Sequence, residues 1–223
     1  MKLSLVKPSV IAFLMAACFA AESLAADTAA KLTGDQALQR LVAGNQRFVN
    51  DRLEHPNQSI QRRLEIARGQ EPFAIILGCT DSRVPPEIIF DLGLGDLFVV
   101  RVAGNIVEKA GLGSIEYAVE HLHAPLIVVL GHKQCGAVAV AVSGGHAAGA
   151  VAHIIKAIRP AVKESRSLPG DKLANTVRAN VARMVKKLRE ARSLKPSVQA
   201  DKLKIVGGHY DWDTGRVELL PEK

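Results

Sequence analysis

The chain has 223 residues, of which 48% are hydrophobic and 23% charged, a composition that suits one globular domain with a substantial core. Its formal net charge of +7 comes from 29 basic and 22 acidic residues interspersed along the chain, and aromatic residues make up only 4%. This pattern indicates a solvated basic surface and argues against a nucleic-acid interface, which would combine a basic patch with aromatic side chains.

The first 26 residues are typical of an export signal. Two lysines precede an apolar stretch at 10–21, and a small-x-small pattern precedes a cleavage site after Ala26. The apolar stretch is shorter than the about 20 residues that a membrane span needs. We therefore expect an exported, periplasmic protein of residues 27–223, with lipid attachment at Cys18 as the less favoured alternative.

Two helices are predicted to form an N-terminal arm over 33–68. Thr33 and Gln36 have the spacing of a capping box, and apolar residues follow at helical spacing up to residue 50. A second helix is predicted over 59–68. The apolar face of the first helix requires a partner surface, which we expect a second copy of the chain to provide.

Beyond residue 73, buried strands alternate with helices. This alternation predicts an α/β fold with a central, mostly parallel sheet flanked by helices. Four parallel strands are predicted at 73–78, 97–102, 126–130 and 203–206, and an antiparallel C-terminal edge strand at 216–220 follows a turn at 211–215. Helices are predicted at 86–90, from Ser114 onward, and at 135–142, 149–164 and 171–192. The α/β core would thus span 73–220 of a single domain.

The cysteines raise the question of a disulfide or a metal. Only Cys79 and Cys135 would remain after export, and in an exported protein such a pair favours a disulfide. However, Cys79 ends the first predicted strand, and His132 and Cys135 follow the end of the third. Sites in open α/β sheets gather at the carboxyl ends of the strands. Two thiolates and an imidazole suit zinc, and three protein ligands leave the open position of a catalytic site.

A carboxylate and a guanidinium follow Cys79 at alternate positions in the segment LGCTDSRVPP. In an extended segment Cys79, Asp81 and Arg83 point to the same side. The candidate metal ligand, the carboxylate and the guanidinium would therefore share one face. The C-x-D-x-R and H-x-x-C patterns together are much more specific than either alone.

These motifs resemble the β-class carbonic anhydrases. The matching stretches are GCTDSRVPPE, GDLFVVRVAGN, GSIEYAVEHL and GHKQCGAV, and the resemblance covers about residues 33–220. It implies that Cys79, His132 and Cys135 bind one zinc ion per chain and that Asp81 and Arg83 form the catalytic dyad beside it. The implied reaction is the reversible hydration of carbon dioxide to bicarbonate and a proton by zinc-bound hydroxide.

The resemblance also implies a substrate pocket and an oligomer. Positions that match the pocket of the plant-type branch are Gln70, Phe98, Ala103, Tyr117 and Gly136. In that branch the pocket forms between two chains, so a homodimer or a dimer of dimers is expected. The alternative for these residues is an ordinary place in the core or in a loop. The expected partners are carbon dioxide and bicarbonate, with no nucleic acid and no membrane span.

One position departs from the branch that bicarbonate regulates. That branch has a tryptophan three residues before its first zinc cysteine, where this chain has Ile76. Arg101 and Tyr210 match the other two members of its regulatory triad. We therefore expect no bicarbonate inhibition at a second site. We expect Arg101 to brace a dimer contact or an internal carboxylate, because a charge in a strand must be paired.

Two other functions remain open. A related hydrolase of carbon disulfide or carbonyl sulfide would use the same zinc site behind a narrower entrance. A non-catalytic protein would use zinc or a Cys79–Cys135 disulfide only to tie the sheet edge together. A structural zinc site has four protein ligands and does not need the Asp81–Arg83 pair, so the non-catalytic alternative is disfavoured.

Overall fold

The structure is a computed structural model that describes residues 31–145 and 147–221. The predicted export signal at 1–26, with Cys18, lies outside the described residues. Within the described ranges, no helix combines the length and the apolar character needed to cross a bilayer.

The described residues form one central sheet. Its strands are β1 (Ala74–Gly78), β2 (Leu97–Arg101), β3 (Leu126–His132), β4 (Lys204–Asp211) and β5 (Arg216–Leu219). The spatial order is β2-β1-β3-β4-β5, in which the first four strands are parallel and β5 is antiparallel to β4. The predicted fold class is therefore confirmed. The main difference is that β4 runs to Asp211 and not to Val206.

Helices cover both faces of the sheet. They are α1 (Gly34–Val49), α2 (Ile60–Glu65), α3 (Pro86–Ile89), α4 (Lys109–Glu120), α5 (Gly136–Val142), α6 (Val151–Ser165), α7 (Lys172–Glu190) and α8 (Lys195–Gln199). The prediction that Ser114 caps a helix is wrong, because α4 already begins at Lys109. Ser114 lies inside α4, where its hydroxyl donates a hydrogen bond to the carbonyl of Ala110.

Alternate residues of each buried strand belong to two different apolar clusters, as the period of a strand requires. Ile75 and Leu77 of β1 face a cluster that includes Val138 of α5, Ile158 of α6 and Val181 of α7. On the opposite face, Ala74 and Ile76 belong to a cluster with α1 and α3. The sheet is thus buried between two helical layers. The edge formed by the carboxyl ends of its parallel strands lies between these layers.

Helix α1 packs on its own chain, so the expectation that its apolar face needs a second copy is wrong. Ala37 and Leu41 are only 0% and 1% exposed, in the cluster that also contains Ile76. The Thr33–Gln36 capping box is present as predicted. Near the other end of α1, Arg47 donates a hydrogen bond of 2.5 Å from Nε to buried Asp91 just beyond α3.

Candidate metal centre

Two neighbouring strands bring the candidate ligands together. Cys79 directly follows β1, His132 ends β3, and Cys135 is the N-cap residue of α5. Their ligand atoms all lie within 4.8 Å of one another, and the three side chains are buried. The parallel pairing of β1 with β3 makes this convergence possible, because residues that end the two strands then share one edge.

The two sulfurs are too far apart for a disulfide and suitably placed for a shared metal ion. Sγ of Cys79 lies 3.9 Å from Sγ of Cys135, and both cysteines are free. A disulfide needs about 2.05 Å. Two thiolates on one tetrahedral zinc, each at about 2.3 Å, would stand roughly 3.8 Å apart. The disulfide alternative is therefore wrong for this structure.

The imidazole of His132 offers the third donor. Its Nδ1 lies 2.9 Å from the carbonyl oxygen of Lys133, which places the proton on Nδ1. Nε2 is buried and has no hydrogen-bond partner among the described residues. A buried nitrogen with a free lone pair beside two thiols fits zinc in both chemistry and position.

The thiols influence each other through hydrogen bonding. The Cys135 thiol lowers the pKa of Cys79 by hydrogen bonding to its thiolate, although burial acts in the opposite direction. The same hydrogen bond and burial raise the pKa of Cys135. The backbone N–H of Gly104 also donates to Sγ of Cys79, at 3.3 Å. These interactions favour a thiolate at Cys79 over one at Cys135.

Arg83 holds the carboxylate of Asp81 in a bidentate pair. Nε and Nη2 of Arg83 donate hydrogen bonds of 2.9 Å and 2.8 Å to Oδ1 and Oδ2. These bonds hold the pKa of Asp81 well below its usual value. Oδ2 lies 3.9 Å from Nε2 of His132, so the carboxylate stands next to the ligand set. The two side chains meet, but the expectation of an extended segment is wrong: Ser82 and Arg83 lie in a turn, in which the backbone N–H of Arg83 also donates a hydrogen bond of 3.0 Å to Oδ1 of Asp81.

Arg101 contributes to the site in a way that the sequence analysis missed. Its guanidinium donates hydrogen bonds of 2.8 Å to the backbone carbonyl of Cys79 and of 2.5 Å to that of Asp81. These bonds to backbone oxygens replace the expected pairing with an internal carboxylate, and the alternative of a dimer contact stays a prediction. Arg101 ends β2, which lies beside β1, so the neighbouring strand fixes the loop that carries the ligand and the carboxylate.

Trp212 is a second residue of the site that the sequence analysis treated only as part of a turn. It follows the end of β4, the strand next to β3. Its ring centroid is 4.0 Å from Cζ of Arg83 and 5.6 Å from the ring of His132. The available signal was that the one tryptophan of the sequence follows a strand at the carboxyl edge of the sheet.

The predicted substrate-pocket residues fall into two groups. Ala103 precedes Gly104, which donates to Cys79, and Gly136 follows Cys135, so both lie next to the ligand set in the chain. Phe98 and Tyr117 pack against each other with ring centroids 6.5 Å apart, and Tyr117 is 48% exposed. Gln70 is exposed in the loop before β1. The role of these residues toward a substrate stays a prediction.

Comparisons with known proteins agree with this geometry. A family model described as carbonic anhydrase matches residues 74–217. A solved β-carbonic anhydrase from Coccomyxa, in complex with acetazolamide, aligns with a TM-score of 0.68 at 26% identity, covering 83% of this chain and 86% of that one. The chain belongs to the β-class carbonic anhydrases.

Other carbonic anhydrases resemble this one more strongly in sequence. Carbonic anhydrase 2 of Mycobacterium tuberculosis is 44% identical over 188 residues, which cover 82% of this chain and 91% of that protein. The carbonic anhydrase of Mycolicibacterium smegmatis is 43% identical over 192 residues, with the same coverage of 82% and 91%. Two tetrameric β-carbonic anhydrases of Sordaria macrospora include a chain that aligns with a TM-score of 0.67 at 28% identity, over 72% of this carbonic anhydrase and 86% of that chain.

Proposed function

We propose that this carbonic anhydrase binds one zinc ion per chain through Cys79, His132 and Cys135 and catalyses the reversible hydration of carbon dioxide to bicarbonate and a proton. The observation that carries the proposal is the convergence of three buried donors within 4.8 Å, beside a carboxylate that Arg83 holds in place. When bound, zinc would supply a Lewis acid with an open coordination position, which makes water acidic enough to ionise near neutral pH.

Asp81 has the properties of a hydrogen-bond acceptor for the attacking water. Its lowered pKa keeps it ionised, and an ionised carboxylate only accepts hydrogen bonds. Oδ1 accepts from both Nε and the backbone N–H of Arg83, whereas Oδ2 accepts only from Nη2 and so keeps a second lone pair for water. Because Arg83 also competes for the carboxylate, it would keep Asp81 from acting as a fourth ligand.

The proposal of a substrate pocket rests on the positions that match the plant-type branch and on the local surroundings of these residues. Gln70, Phe98 and Tyr117 would line the pocket from a partner chain, and Ala103 and Gly136 from the chain that carries the ligands. A side chain added at Gly136 would meet no atom within 4 Å, so there is open space directly after Cys135. Carbon dioxide is small and apolar, and small residues next to the metal leave it room to approach.

We also propose a homodimer or a dimer of dimers, formed after export to the periplasm. The half-buried edge strand β2, which carries Phe98, Val99 and Val100, supports the assembly because it offers an apolar sheet edge. The tetrameric relatives from Sordaria macrospora support it as well. Sedimentation velocity would test the assembly, and cell fractionation with intact-mass measurement would test export; a monomer, or a protein that stays in the cytoplasmic fraction with its first 26 residues, would contradict the proposal.

The experiment that tests the catalytic proposal uses the protein purified from that fraction. Zinc content would be measured by elemental analysis, and carbon dioxide hydration by stopped flow. We expect one zinc per chain and rapid hydration, both lost in Cys79→Ser. Hydrolysis of carbonyl sulfide and carbon disulfide would be assayed in parallel. Full zinc content with hydrolysis of a sulfur substrate but no hydration of carbon dioxide would overturn the proposal.

A further inference from the structure

Trp212 contacts both parts of the site, the guanidinium of Arg83 and the ring of His132. Cζ of Arg83 lies 4.0 Å from the indole centroid, within the range of a cation–π interaction. The edge of the same guanidinium donates both hydrogen bonds to Asp81. The two interactions are compatible, because stacking uses the face of the planar group and hydrogen bonding uses its edge.

Arg83 has little else to hold it. Its side chain is 57% exposed, and an exposed ion pair of this kind is weak because solvent screens it and a long side chain must be ordered. Asp81 is only 16% exposed and stands beside the ligand set. An arginine side chain that moves into solvent would therefore release Oδ2, the carboxylate oxygen nearer to the ligand set, while the backbone N–H of Arg83 still holds Oδ1, and a carboxylate oxygen is a good zinc ligand.

The turn that presents Trp212 is itself fixed to the strand of His132. The ammonium of Lys133 lies 3.4 Å from Oδ2 of Asp211 and also pairs with Asp213. The backbone N–H of Lys133 donates 2.9 Å to the carbonyl of Tyr210. Trp212 lies between these two aspartates, packed against the apolar cluster of its sheet face. The indole is thus anchored on a framework that is independent of Arg83.

We propose that Trp212 is a positioning residue, whose indole holds Arg83 against Asp81 and so keeps the carboxylate away from the open metal position. This inference rests on the proposed function, because it concerns the role of Asp81 in that reaction. Trp212 acts through Arg83 and touches neither substrate nor metal in this role. Loss of a partly exposed cation–π contact would change the fraction of chains with a released carboxylate by about two- to fivefold.

The first test measures the contact itself and does not use activity. Trp212 is the one tryptophan of the sequence, so its emission reports on this ring alone. In the zinc-loaded protein, Arg83→Ala uncovers one face of the indole, and we expect the acrylamide quenching constant to rise about twofold. Arg63→Ala, an exposed arginine on α2, is the matched control and should leave quenching unchanged. Equal quenching in the wild type and Arg83→Ala would overturn the proposal.

The second test compares Trp212→Phe with Trp212→Leu. Both keep apolar bulk, but only phenylalanine keeps an aromatic face. We expect Trp212→Leu to retain full zinc and to lose kcat at unchanged KM, by at most about fivefold, because carbon dioxide cannot displace a carboxylate from the metal. Trp212→Phe should recover most of the loss. Phe48→Leu, in the same cluster and beside Gly215 of the same turn, should leave kcat unchanged.

A double-mutant cycle separates positioning from a purely structural effect. If Trp212 acts through Arg83, then Trp212→Leu should cost nothing further in the Arg83→Ala background. Additive losses, or equal kcat values in Trp212→Leu and the wild type, would overturn the inference. If Trp212→Leu does not fold, the quenching test and the kcat of Trp212→Phe still decide whether Trp212 positions Arg83. A wild type with full zinc but no hydration would refute the proposed function, while quenching would still test the Trp212–Arg83 contact.

Discussion

Arg101 donates a hydrogen bond of 2.8 Å from Nε to the backbone carbonyl of Cys79, and its Nη2 reaches the carbonyl of Asp81 two residues later. One side chain from β2 therefore fixes the spacing between Cys79, the candidate metal ligand, and Asp81. The interaction uses the fork of the guanidinium, which a lysine does not have.

The first prediction concerns these two hydrogen bonds of Arg101. Arg101→Met leaves both carbonyls without their donor, so we expect a loss of about 1–3 kcal/mol in the free energy of unfolding and a fall in kcat. Arg101→Lys should restore only part of each, because one ammonium cannot span both oxygens. Denaturant unfolding and stopped-flow hydration measure the two effects. Wild-type stability and kcat in Arg101→Met would show that the loop at 79–81 keeps its conformation without the hydrogen bonds from Arg101.

The second prediction concerns the competition for Asp81. Arg83→Ala frees the carboxylate to bind the metal, so zinc content should stay full while kcat falls by roughly tenfold or more. Adding Asp81→Ala should reopen the position and recover part of the rate, though not all, because the acceptor for water is also gone. The two changes should be non-additive, as expected within one network. A double variant that keeps zinc and folds, yet is no faster than Arg83→Ala, would contradict this role of Asp81.

The third prediction concerns the removal of metal. Zinc-bound thiolates are protected from thiol reagents, and chelation removes that protection; because Cys79 and Cys135 are only 4% and 1% exposed, their reaction then requires local opening of the structure around them. Titration with a chromogenic disulfide should therefore find these two thiols reactive only after chelation, and His132→Ala should behave like the chelated protein. Equal reactivity with and without zinc would mean that the thiols are not its ligands.

The sequence was sufficient to predict the sheet and the convergence of Cys79, His132 and Cys135, for identifiable reasons. Strands buried on both faces need continuous apolar runs, and Cys79 and His132 lie at the ends of two such runs. The length of β4 was missed because Gly207 and Gly208 look like a break in a strand. Glycine is needed there for close packing, since a Cβ at Gly207 would come within 2.7 Å of Val181 on α7.

Other features depend on contacts that a sequence does not express. Helix α4 begins at Lys109, and the residue before it, Glu108, makes no side-chain capping hydrogen bond. The sequence at this helix start therefore lacks a capping residue, whereas Ser114 is of the type that commonly caps a helix. Arg101 and Trp212 reach the site from strands that are distant along the chain. Their roles follow from the strand order β2-β1-β3-β4, which places their strand ends on either side of Cys79 and His132.

The fourth prediction concerns acid stability. Burial, reinforced by the nearby Arg178, lowers the pKa of His209 on β4. In the unfolded chain this histidine takes up its proton near about pH 6.5, but in the folded chain only at lower pH. Between these values the unfolded state binds more protons, so the free energy of unfolding falls as the pH decreases, by up to about 1.4 kcal/mol per pH unit.

His209→Gln removes this titration and keeps a polar side chain. Denaturant unfolding at pH 7.5, 6.5 and 5.5 should therefore give a smaller loss of stability for the variant than for the wild type below about pH 6.5. Acid release of zinc affects both proteins, so the difference between them isolates His209. Parallel curves would show that His209 titrates alike in the folded and unfolded chains.

The last prediction concerns the packing of α1 against the sheet of its own chain. The sequence analysis expected this apolar face to pack against a partner chain. Gly44 faces α3, and a Cβ added there would collide with the backbone carbonyl of Phe90. Because backbone cannot give way like a flexible side chain, Gly44→Ala should shift α1 and cost about 1–3 kcal/mol in the free energy of unfolding.

Gly113→Ala on α4 is the matched control, since its Cβ would meet no atom within 4 Å. There alanine should stabilise by about 0.5–1 kcal/mol through helix propensity alone. Denaturant unfolding of both variants decides the matter, and a Gly44→Ala variant as stable as Gly113→Ala would mean that α1 does not pack on its own chain in solution.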